Sequence, residues 1–263
     1  MENMYEKRFV LFLDILGFQK IIEETEKNEE PQKVKIEELI IALKEMVETV
    51  SAMPKETSKI VTQFSDSIVV SFKDNDQKES QQFFQYVHRL IIKLAARKIL
   101  CRGAVSYGNL YHDKDFVFGP ALVDAYLTES QAAIYPRVVF DKSVIEIMKK
   151  TSVLNPLSYS AIRFDSKVES YLKTDLDDKL YFDYFSKAAY YLNGQELNEY
   201  YDKLRKIIID GNKFKNPGVK VKYGWMKSKY NQLKNDFDKA DEDEEIYLSR
   251  IDIQKFANTF KQI

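Results

Sequence analysis

The residues from Phe9 to Phe18, FVLFLDILGF, constrain the fold of this chain more than any other stretch. Their nearly continuous apolar side chains, many of them branched or aromatic, predict a buried strand. Asp14 lies at the end of this strand, and Gly17 follows where the backbone can approach a ligand closely. A buried carboxylate without a partner costs on the order of several kcal/mol. We therefore expect a cation beside Asp14.

The apolar patterns beyond this strand predict a ferredoxin-like α+β fold. The order is a first strand, helices over 16–24 and 34–50, hairpin strands over 60–64 and 67–72, a long helix, and a strand over 100–107. A charged loop is expected to begin at Gly108. This β-α-β-β-α-β order is the signature of the ferredoxin-like fold, in which the strands lie in the order fourth, first, third, second.

That topology predicts that three charged residues meet at one edge of the sheet. Asp14 ends the first strand, Asp66 lies in the hairpin turn before the third, and Arg102 opens the fourth. Neighbouring strands are about 4.8 Å apart, which suits two bridged metal ions roughly 3.5–4 Å apart. Carboxylates are ligands for Mg²⁺ or Mn²⁺, and an arginine fork matches phosphate. Taken singly, each residue also fits a structural role, as a turn, a helix cap or a surface residue.

These residues resemble the catalytic core of the class III nucleotidyl cyclases. The resemblance lies in DILGF from Asp14, in the Ser65-Asp66 turn and in Arg102-Gly103. It implies two Mg²⁺ or Mn²⁺ ions on Asp14 and Asp66, with the backbone carbonyl of Ile15 as a further ligand. It also implies that Gly17, Phe18 and Arg102 contact the triphosphate. The active form would be a symmetric head-to-tail homodimer with two sites at its interface.

The chain departs from the purine cyclases at the positions that select the base. Thr62 and Phe116 stand where that family selects adenine or guanine, and Val123 and Leu127 replace an asparagine and an arginine of the helix that follows. The segments FSDSIVVSF, RGAVSYGNLYHD and FGPALVDAYLTES resemble the pyrimidine cyclases of Pycsar antiphage systems. That resemblance implies a uridylate or cytidylate cyclase whose cyclic nucleotide acts on a separate effector protein. Thr62 and Phe116 are then the base-binding residues. The sequence does not distinguish UTP from CTP as the substrate.

Three other functions remain open at this stage. They are an adenylate or guanylate cyclase with unusual base contacts, a polymerase-type palm, and a non-catalytic nucleotide-sensing module. The net charge of −1 indicates no nucleic-acid or membrane partner. The single cysteine fits a reducing compartment, and no apolar run approaches the roughly 20 residues of a membrane span. We expect a soluble, cytoplasmic protein without a signal peptide.

The remaining chain is predicted to finish the sheet and then continue as helices. The cyclase domain is expected over 1–190 and a helical C-terminal extension over 191–263. The patterns predict a helix over 142–150, strands over 161–164 and 179–185, and helices over 194–210 and 217–238. A left-handed cap is expected at Gly211, where the first of the last two helices would stop.

A few single residues receive structural interpretations. We expect His88 and His112 to bind no metal, with His112 in a loop, and Cys101 to be a small packed strand residue. Arg137 is expected at the surface, with substitution for the missing helix arginine as the alternative. Either Lys173 or Lys179 lies near the position of a phosphate-binding lysine in the cyclases.

Overall fold

The structure, a computed structural model, describes residues 4–26, 29–51, 58–74, 77–151, 170–192, 194–240 and 260–263. The strands are β1 (Glu6–Ile15), β2 (Ile60–Phe64), β3 (Ser67–Lys73), β4 (Cys101–His112), β5 (Val117–Phe118), β6 (Val138–Phe140), β7 (Leu172–Thr174) and β8 (Leu180–Phe182). The helices are α1 (Phe18–Glu26), α2 (Glu29–Ser51), α3 (Gln77–Ala96), α4 (Pro120–Ala132), α5 (Lys142–Thr151), α6 (Gly194–Asn212) and α7 (Pro217–Ala240). The chain divides into one compact unit of residues 1–94 and 99–182 and a second of 95–98 and 183–263.

The sheet of the first unit confirms the predicted α+β fold. Its strand order is β2-β3-β1-β4-β6-β8-β7, with β5 paired to β4 outside this path. The first four strands thus have the ferredoxin-like order, and β1 is antiparallel to both of its neighbours. Parallel pairing of β4 with β6 extends the sheet beyond that core.

Alternation along β1 separates the apolar core from the polar face. Phe9 points to the face that α3 covers and stacks on Phe72 with ring centroids 5.1 Å apart, and Phe72 in turn contacts Phe83 of α3. Asp14 lies an odd number of residues from Phe9 and therefore belongs to the opposite face. The fold thus buries one side of β1 in aromatic packing and leaves the end of the other side available to polar groups.

Helix α4 covers part of this opposite face, where strand β4 is longer than predicted. Strand β4 continues to His112, so the loop predicted from Gly108 is wrong. A Cβ at Gly108 would lie 3.4 Å from the Cβ of Ala121, and the Ser106 hydroxyl donates to the Ala121 carbonyl oxygen at 2.5 Å. Gly108 therefore lies in ordinary contact with α4, and it does not interrupt the strand.

The first helix begins two residues later than the sequence pattern predicts. Gly17 has a φ of +77°, in the left-handed region, and α1 starts immediately after it at Phe18. The Gly17 carbonyl accepts the Ile21 N–H at 3.1 Å. The turn is therefore formed by Gly17 outside the helix, while Leu16 pairs with β4 through its N–H to the Leu100 carbonyl at 2.8 Å.

The edge beyond β6 is shorter and differently built than predicted. Strand β8 spans only Leu180–Phe182, and the unpredicted β7 pairs with it. The strand predicted over 179–185 ends early because the Asp183 carboxylate accepts the N–H groups of Phe185 and Ser186 and forms a turn. The strand predicted over 161–164 lies outside the described residues.

The second unit contains the two predicted C-terminal helices, but Gly211 is not a cap. It lies inside α6, buried and without a positive φ. A Cβ at this position would lie 2.2 Å from Cδ1 of Tyr223 in α7. Glycine is required here because two helices approach closely, which the sequence pattern alone does not distinguish from a helix end.

Candidate active site

Asp14 and Arg102 lie directly opposite each other at the end of β1. They are register partners in the β1–β4 ladder, while Ser67 faces Asp14 from β3. The Ser67 hydroxyl donates to Oδ1 of Asp14 at 2.9 Å, and Nε of Arg102 lies 3.7 Å from its Oδ2. Three adjacent strands therefore bring two charges and a hydroxyl to one sheet end, as their spacing along the chain predicts.

Asp66 joins this group through the hairpin turn between β2 and β3. Ser65 adopts a φ of +54°, which turns the chain in two residues, and the Asp66 carbonyl accepts the Ile15 N–H at 3.2 Å. The main chain thus fastens the hairpin turn to the residue after Asp14. Both acids of the sequence prediction lie at the same end of the sheet.

The electrostatic environment of Asp14 is unfavourable to its charge. Burial raises the pKa of Asp14, and the neighbouring Asp66 carboxylate raises it further. The Ser67 hydroxyl and the Arg102 guanidinium act in the opposite direction without cancelling the shift. The carboxylate pair therefore holds more negative charge than its protein partners neutralise.

This donor set fits hard divalent cations. Two adjacent carboxylates offer the oxygen ligands that Mg²⁺ and Mn²⁺ prefer, and a bound cation would offset the burial and the Asp66 repulsion that raise the pKa of Asp14. Among the residues that the structure describes, no group of three or more His, Cys, Asp and Glu side chains is arranged to hold a metal ion. The acids are thus a pair, and a further ligand has to come from the main chain, substrate or water.

Sequence analysis missed Glu129, which forms an ion pair with Arg102. Oε1 of Glu129 contacts Nε of Arg102, and the Glu129 side chain is 3% exposed. Glu129 lies on the face of α4 that also buries Ala121 and Ala125. Ala121, Ala125 and Glu129 are spaced i, i+4, i+8, which places all three on one helix face. An acid buried on such a face requires a cationic partner, so this spacing was the signal that could have identified Glu129.

The Arg102 side chain lies between two acids and is partly exposed. Its Nε forms ion pairs with Asp14, at 3.7 Å, and with Glu129. The Arg102 side chain is 27% exposed. The guanidinium is therefore accessible to an anion, and its planar fork has the geometry in which arginine binds phosphate.

Gly17 and Phe18 follow directly after the acid cluster. Gly17 is exposed, and a Cβ built on it would contact no atom within 4 Å. Phe18 begins α1, whose first N–H groups have no partner within the helix. The turn thus places free backbone donors beside Asp14, which is the position that the sequence predicts for triphosphate contacts.

Thr62 belongs to a buried polar network rather than to the acid cluster. Its Oγ1 lies 2.9 Å from Nε2 of His112, and Nδ1 of His112 lies 2.7 Å from Oγ of Ser71. Nε of Arg8 donates to the same serine oxygen at 3.0 Å. His112 is buried in β4, so its predicted loop position is wrong. Burial and the Arg8 charge lower the pKa of His112 to about 4.

Phe116 lies beyond the end of β4 opposite to Arg102 and is 65% exposed. It follows the turn at Asp113, whose carboxylate accepts the Phe116 N–H at 2.7 Å. The structure therefore does not bring Phe116 to the acids of its own chain. It does place Phe116 on the hairpin that leaves the strand carrying His112, the residue that Thr62 contacts.

The two positions where the cyclases carry an asparagine and an arginine are exposed and apolar. Val123 is 53% exposed and Leu127 42% exposed on α4. Tyr126 between them is 51% exposed and packs edge-to-face on Phe12 of β1. Phe64, at the end of β2, is 80% exposed. The face of the sheet that carries the acid cluster thus also carries uncovered apolar side chains.

The other single residues have structural partners. Arg137 is buried and paired with Asp175 and Asp177, so its predicted surface position is wrong. Cys101 is buried in β4 as expected, and burial raises the pKa of its thiol to about 12. Lys179 pairs with Asp141 at 2.7 Å. In the described residues, no helix is long and apolar enough to cross a membrane.

Comparison with known proteins gives similar solved structures but no sequence relatives. No protein-family model and no curated protein matches the chain. The adenylyl cyclase CyaB from P. aeruginosa superposes with a TM-score of 0.43 and 18% identity, over 56% of this chain and 82% of that chain. Two structures of a bacterial light-regulated adenylyl cyclase superpose with TM-scores of 0.38 and 16% identity, over 56% and 54% of this chain. The chain spans less than half of those two, 46% and 44%.

Proposed function

We propose that this protein is a class III nucleotidyl cyclase that converts UTP or CTP to the 3′,5′-cyclic monophosphate and pyrophosphate. One observation carries the proposal: Asp14, Asp66 and Arg102 converge at one end of three adjacent strands. Two carboxylates and an arginine fork are the groups that phosphoryl transfer requires, because they hold cations and phosphate oxygens. The cyclase-like motifs of the sequence lie at these same positions.

In this proposal Asp14 and Asp66 hold two Mg²⁺ or Mn²⁺ ions, with the Ile15 carbonyl as a further ligand. When bound, these ions would neutralise phosphate charge and lower the pKa of the ribose 3′-hydroxyl. The 3′-oxygen then bonds to the α-phosphorus, the bond to the bridging oxygen of the β-phosphate breaks, and the hydroxyl proton passes to water. The departing pyrophosphate carries the electron pair of the broken bond.

The chain's own groups position the triphosphate. The partly exposed guanidinium of Arg102 can reach phosphate oxygens, while the ion pair with Glu129 orients it. The Gly17–Phe18 turn offers free N–H groups at the start of α1, where the helix dipole favours an anion. Each of these groups can bind the triphosphate of the substrate. Each can also stabilise the negative charge that develops on pyrophosphate as the bond breaks.

We propose that a second copy of the chain completes each site. Arg102 lies at the start of β4 and Phe116 lies beyond its other end, so one chain does not present its acids and Phe116 together. The uncovered apolar residues Phe64, Val123, Tyr126 and Leu127 surround the acid cluster's face and supply area for association. A symmetric head-to-tail homodimer would bring Thr62 and Phe116 of one protomer toward the acids of its partner.

The proposed base-binding residues favour a pyrimidine. Phe116 presents an exposed aromatic face on which a base can stack, and its bulk narrows the site for a two-ring base. Thr62 offers a hydroxyl in place of a charged selector. The biological role is proposed from the motif resemblance: a cytoplasmic cyclic-nucleotide messenger made during phage infection and detected by a separate effector.

Incubation with each of the four nucleoside triphosphates and Mn²⁺, followed by product identification, tests this function. We expect cyclic UMP or cyclic CMP as the main product, and none from Asp66→Asn. A main product of cyclic AMP or cyclic GMP would establish a purine cyclase instead. No product from any nucleotide would leave nucleotide sensing or polymerase chemistry, which binding assays and primer extension separate.

A further inference from the structure

A chain of four polar side chains crosses the sheet face from β1 to β2. Arg8, Ser71 and His112 are all buried, and Thr62 at the end of the chain is half-buried. The links are Arg8 Nε to Ser71 Oγ at 3.0 Å, Ser71 Oγ to His112 Nδ1 at 2.7 Å, and His112 Nε2 to Thr62 Oγ1 at 2.9 Å. This chain is part of neither the acid cluster nor the phosphate-binding groups.

The direction of every hydrogen bond in this chain follows from its first member. Arg8 can only donate, so Ser71 Oγ is an acceptor in that link. Ser71 has one hydroxyl proton, and among the described residues His112 Nδ1 is the one acceptor within its reach. A fully buried hydroxyl proton without an acceptor is unfavourable, so Ser71 donates to Nδ1.

The same reasoning fixes the histidine tautomer. Since Nδ1 accepts, the neutral imidazole carries its proton on Nε2 and donates it to Thr62 Oγ1. A charged imidazolium would direct a second N–H at Ser71, beside the buried Arg8 charge. The lowered pKa of His112, about 4, has the same origin in burial and Arg8.

Thr62 is thereby left with a proton to donate. Its Oγ1 accepts from His112, and the described part of the structure offers its own hydroxyl proton no acceptor. We propose that Thr62 donates this proton to the base, so that the site selects a keto group over an exocyclic amine. The proposal rests on the proposed function. It predicts that UTP is preferred over CTP, whereas a threonine without the His112 contact could pair with either base.

The selection follows from what each base presents. Uracil O4 accepts the Thr62 proton, whereas the N4 amine of cytosine could only donate to the second lone pair of Oγ1 and would leave the Thr62 proton unpaired. A site built to pair with one polar group rejects the analogue strongly, because its own buried group then stays unpaired. Guanine O6 is also a keto oxygen, so exclusion of GTP depends on the stacking wall at Phe116 and not on Thr62.

Histidine NMR tests the hydrogen-bond direction without any nucleotide. The chain contains only two histidines, so ¹⁵N-histidine labelling gives two ring systems. The ring signals that disappear in His112→Gln belong to His112. We expect the neutral tautomer of His112 with the proton on Nε2 between pH 6 and 8. A proton on Nδ1, or a charged ring in this range, overturns the proposal.

Nucleotide binding tests the selection independently of turnover. The probes are 3′-deoxy-UTP and 3′-deoxy-CTP with Mn²⁺, which lack the attacking hydroxyl and cannot cyclise. We expect the uridine compound to bind at least about tenfold more tightly, the effect of one hydrogen bond to a polar partner. Thr62→Val should remove this ratio, because it weakens the uridine compound and relieves the mismatch with the cytidine compound. Thr62→Ser should keep the ratio, and Thr174→Val, at the exposed end of β7, is the matched control.

These outcomes separate the inference from the proposed function. Equal binding of the two probes to the wild-type protein, or a ratio that survives in Thr62→Val, overturns the inference even when cyclic nucleotide is formed. A uridine preference that disappears in Thr62→Val supports the inference even when no nucleotide is cyclised. Binding of neither probe overturns both.

Discussion

Glu129 on helix α4 forms a buried ion pair with Arg102 on strand β4. This pair connects the helix that covers the sheet to the arginine that faces the acid cluster. The ion pair restrains the guanidinium beside the acid cluster, and the Arg102 side chain remains 27% exposed. The buried acid therefore has the properties of a positioning residue for phosphate binding.

Replacement of Glu129 by Gln should raise KM for the nucleotide about tenfold or more. The glutamine keeps the shape of the side chain but removes the charge that orients Arg102, and loss of such orienting partners costs about 10- to 100-fold in other sites. Asp124→Asn, which changes an exposed acid on the same helix, is the control. An unchanged KM in a folded Glu129→Gln protein would reduce Glu129 to a structural role.

Truncation of Arg102 to Ala should lower kcat/KM by on the order of 10²–10³, the range for removal of one charge-stabilising donor. It should also reduce stability, since Glu129 then remains buried without its cation. The double variant Arg102→Met with Glu129→Leu separates the two effects. We expect it to regain thermal stability but no turnover, whereas recovery of turnover would contradict a phosphate-binding role.

Neutralisation of Asp14 should abolish turnover and stabilise the metal-free protein. The pKa of Asp14 is raised in the fold, so its ionised form opposes folding at neutral pH, and this cost disappears as pH falls through the raised pKa. Asn keeps an oxygen to accept from Ser67. Thermal melts with EDTA at pH 7.5 should give a higher Tm for Asp14→Asn than for the wild type. A lower Tm, or full turnover, would contradict the assignment of Asp14 as a cation ligand.

Replacement of Phe116 by Ala should relax the rejection of ATP and GTP more than it slows the pyrimidine reaction. The side chain is 65% exposed, so its loss should leave the fold intact. The ratio of kcat/KM for UTP to that for GTP measures the effect. Phe118→Ala, at a half-exposed aromatic on the same hairpin, is the control, and an equal change in both variants would speak against a stacking wall at Phe116.

The sequence predicts those parts of the site that depend on local turns and on strand order. The two-residue turn at Ser65 and Asp66 and the end of β1 at Asp14 are local features, and the β-α-β-β-α-β order then places Arg102 opposite Asp14. Topology alone is sufficient for this convergence, because strand pairing fixes which residues are neighbours.

The remaining partners depend on contacts that periodicity does not specify. The pairing of Glu129 with Arg102 depends on how α4 packs on the sheet, and the contact of His112 with Thr62 depends on how far β4 extends. The roles of the glycines at 108 and 211 likewise could not be predicted from the sequence pattern. Gly211 is required because Tyr223 leaves no room for a Cβ, and Gly108 lies inside β4, so neither glycine forms the backbone turn that glycine usually indicates.

His112 should make the protein lose stability as pH falls from about 6.5 to about 4. Burial and the Arg8 charge hold the pKa of His112 at about 4 in the fold, against an ordinary 6.5. In this window the unfolded chain takes up a proton that the folded protein refuses, so acid favours unfolding, and above pH 6.5 this contribution is constant. Urea midpoints at pH 7.5 and pH 5 should therefore differ more in the wild type than in His112→Gln. Since the raised pKa of Asp14 acts with the opposite sign, the comparison is repeated in the Asp14→Asn background, where that opposing contribution is absent from both proteins. Equal pH dependence of both proteins in that background would show that His112 is not held neutral by the network.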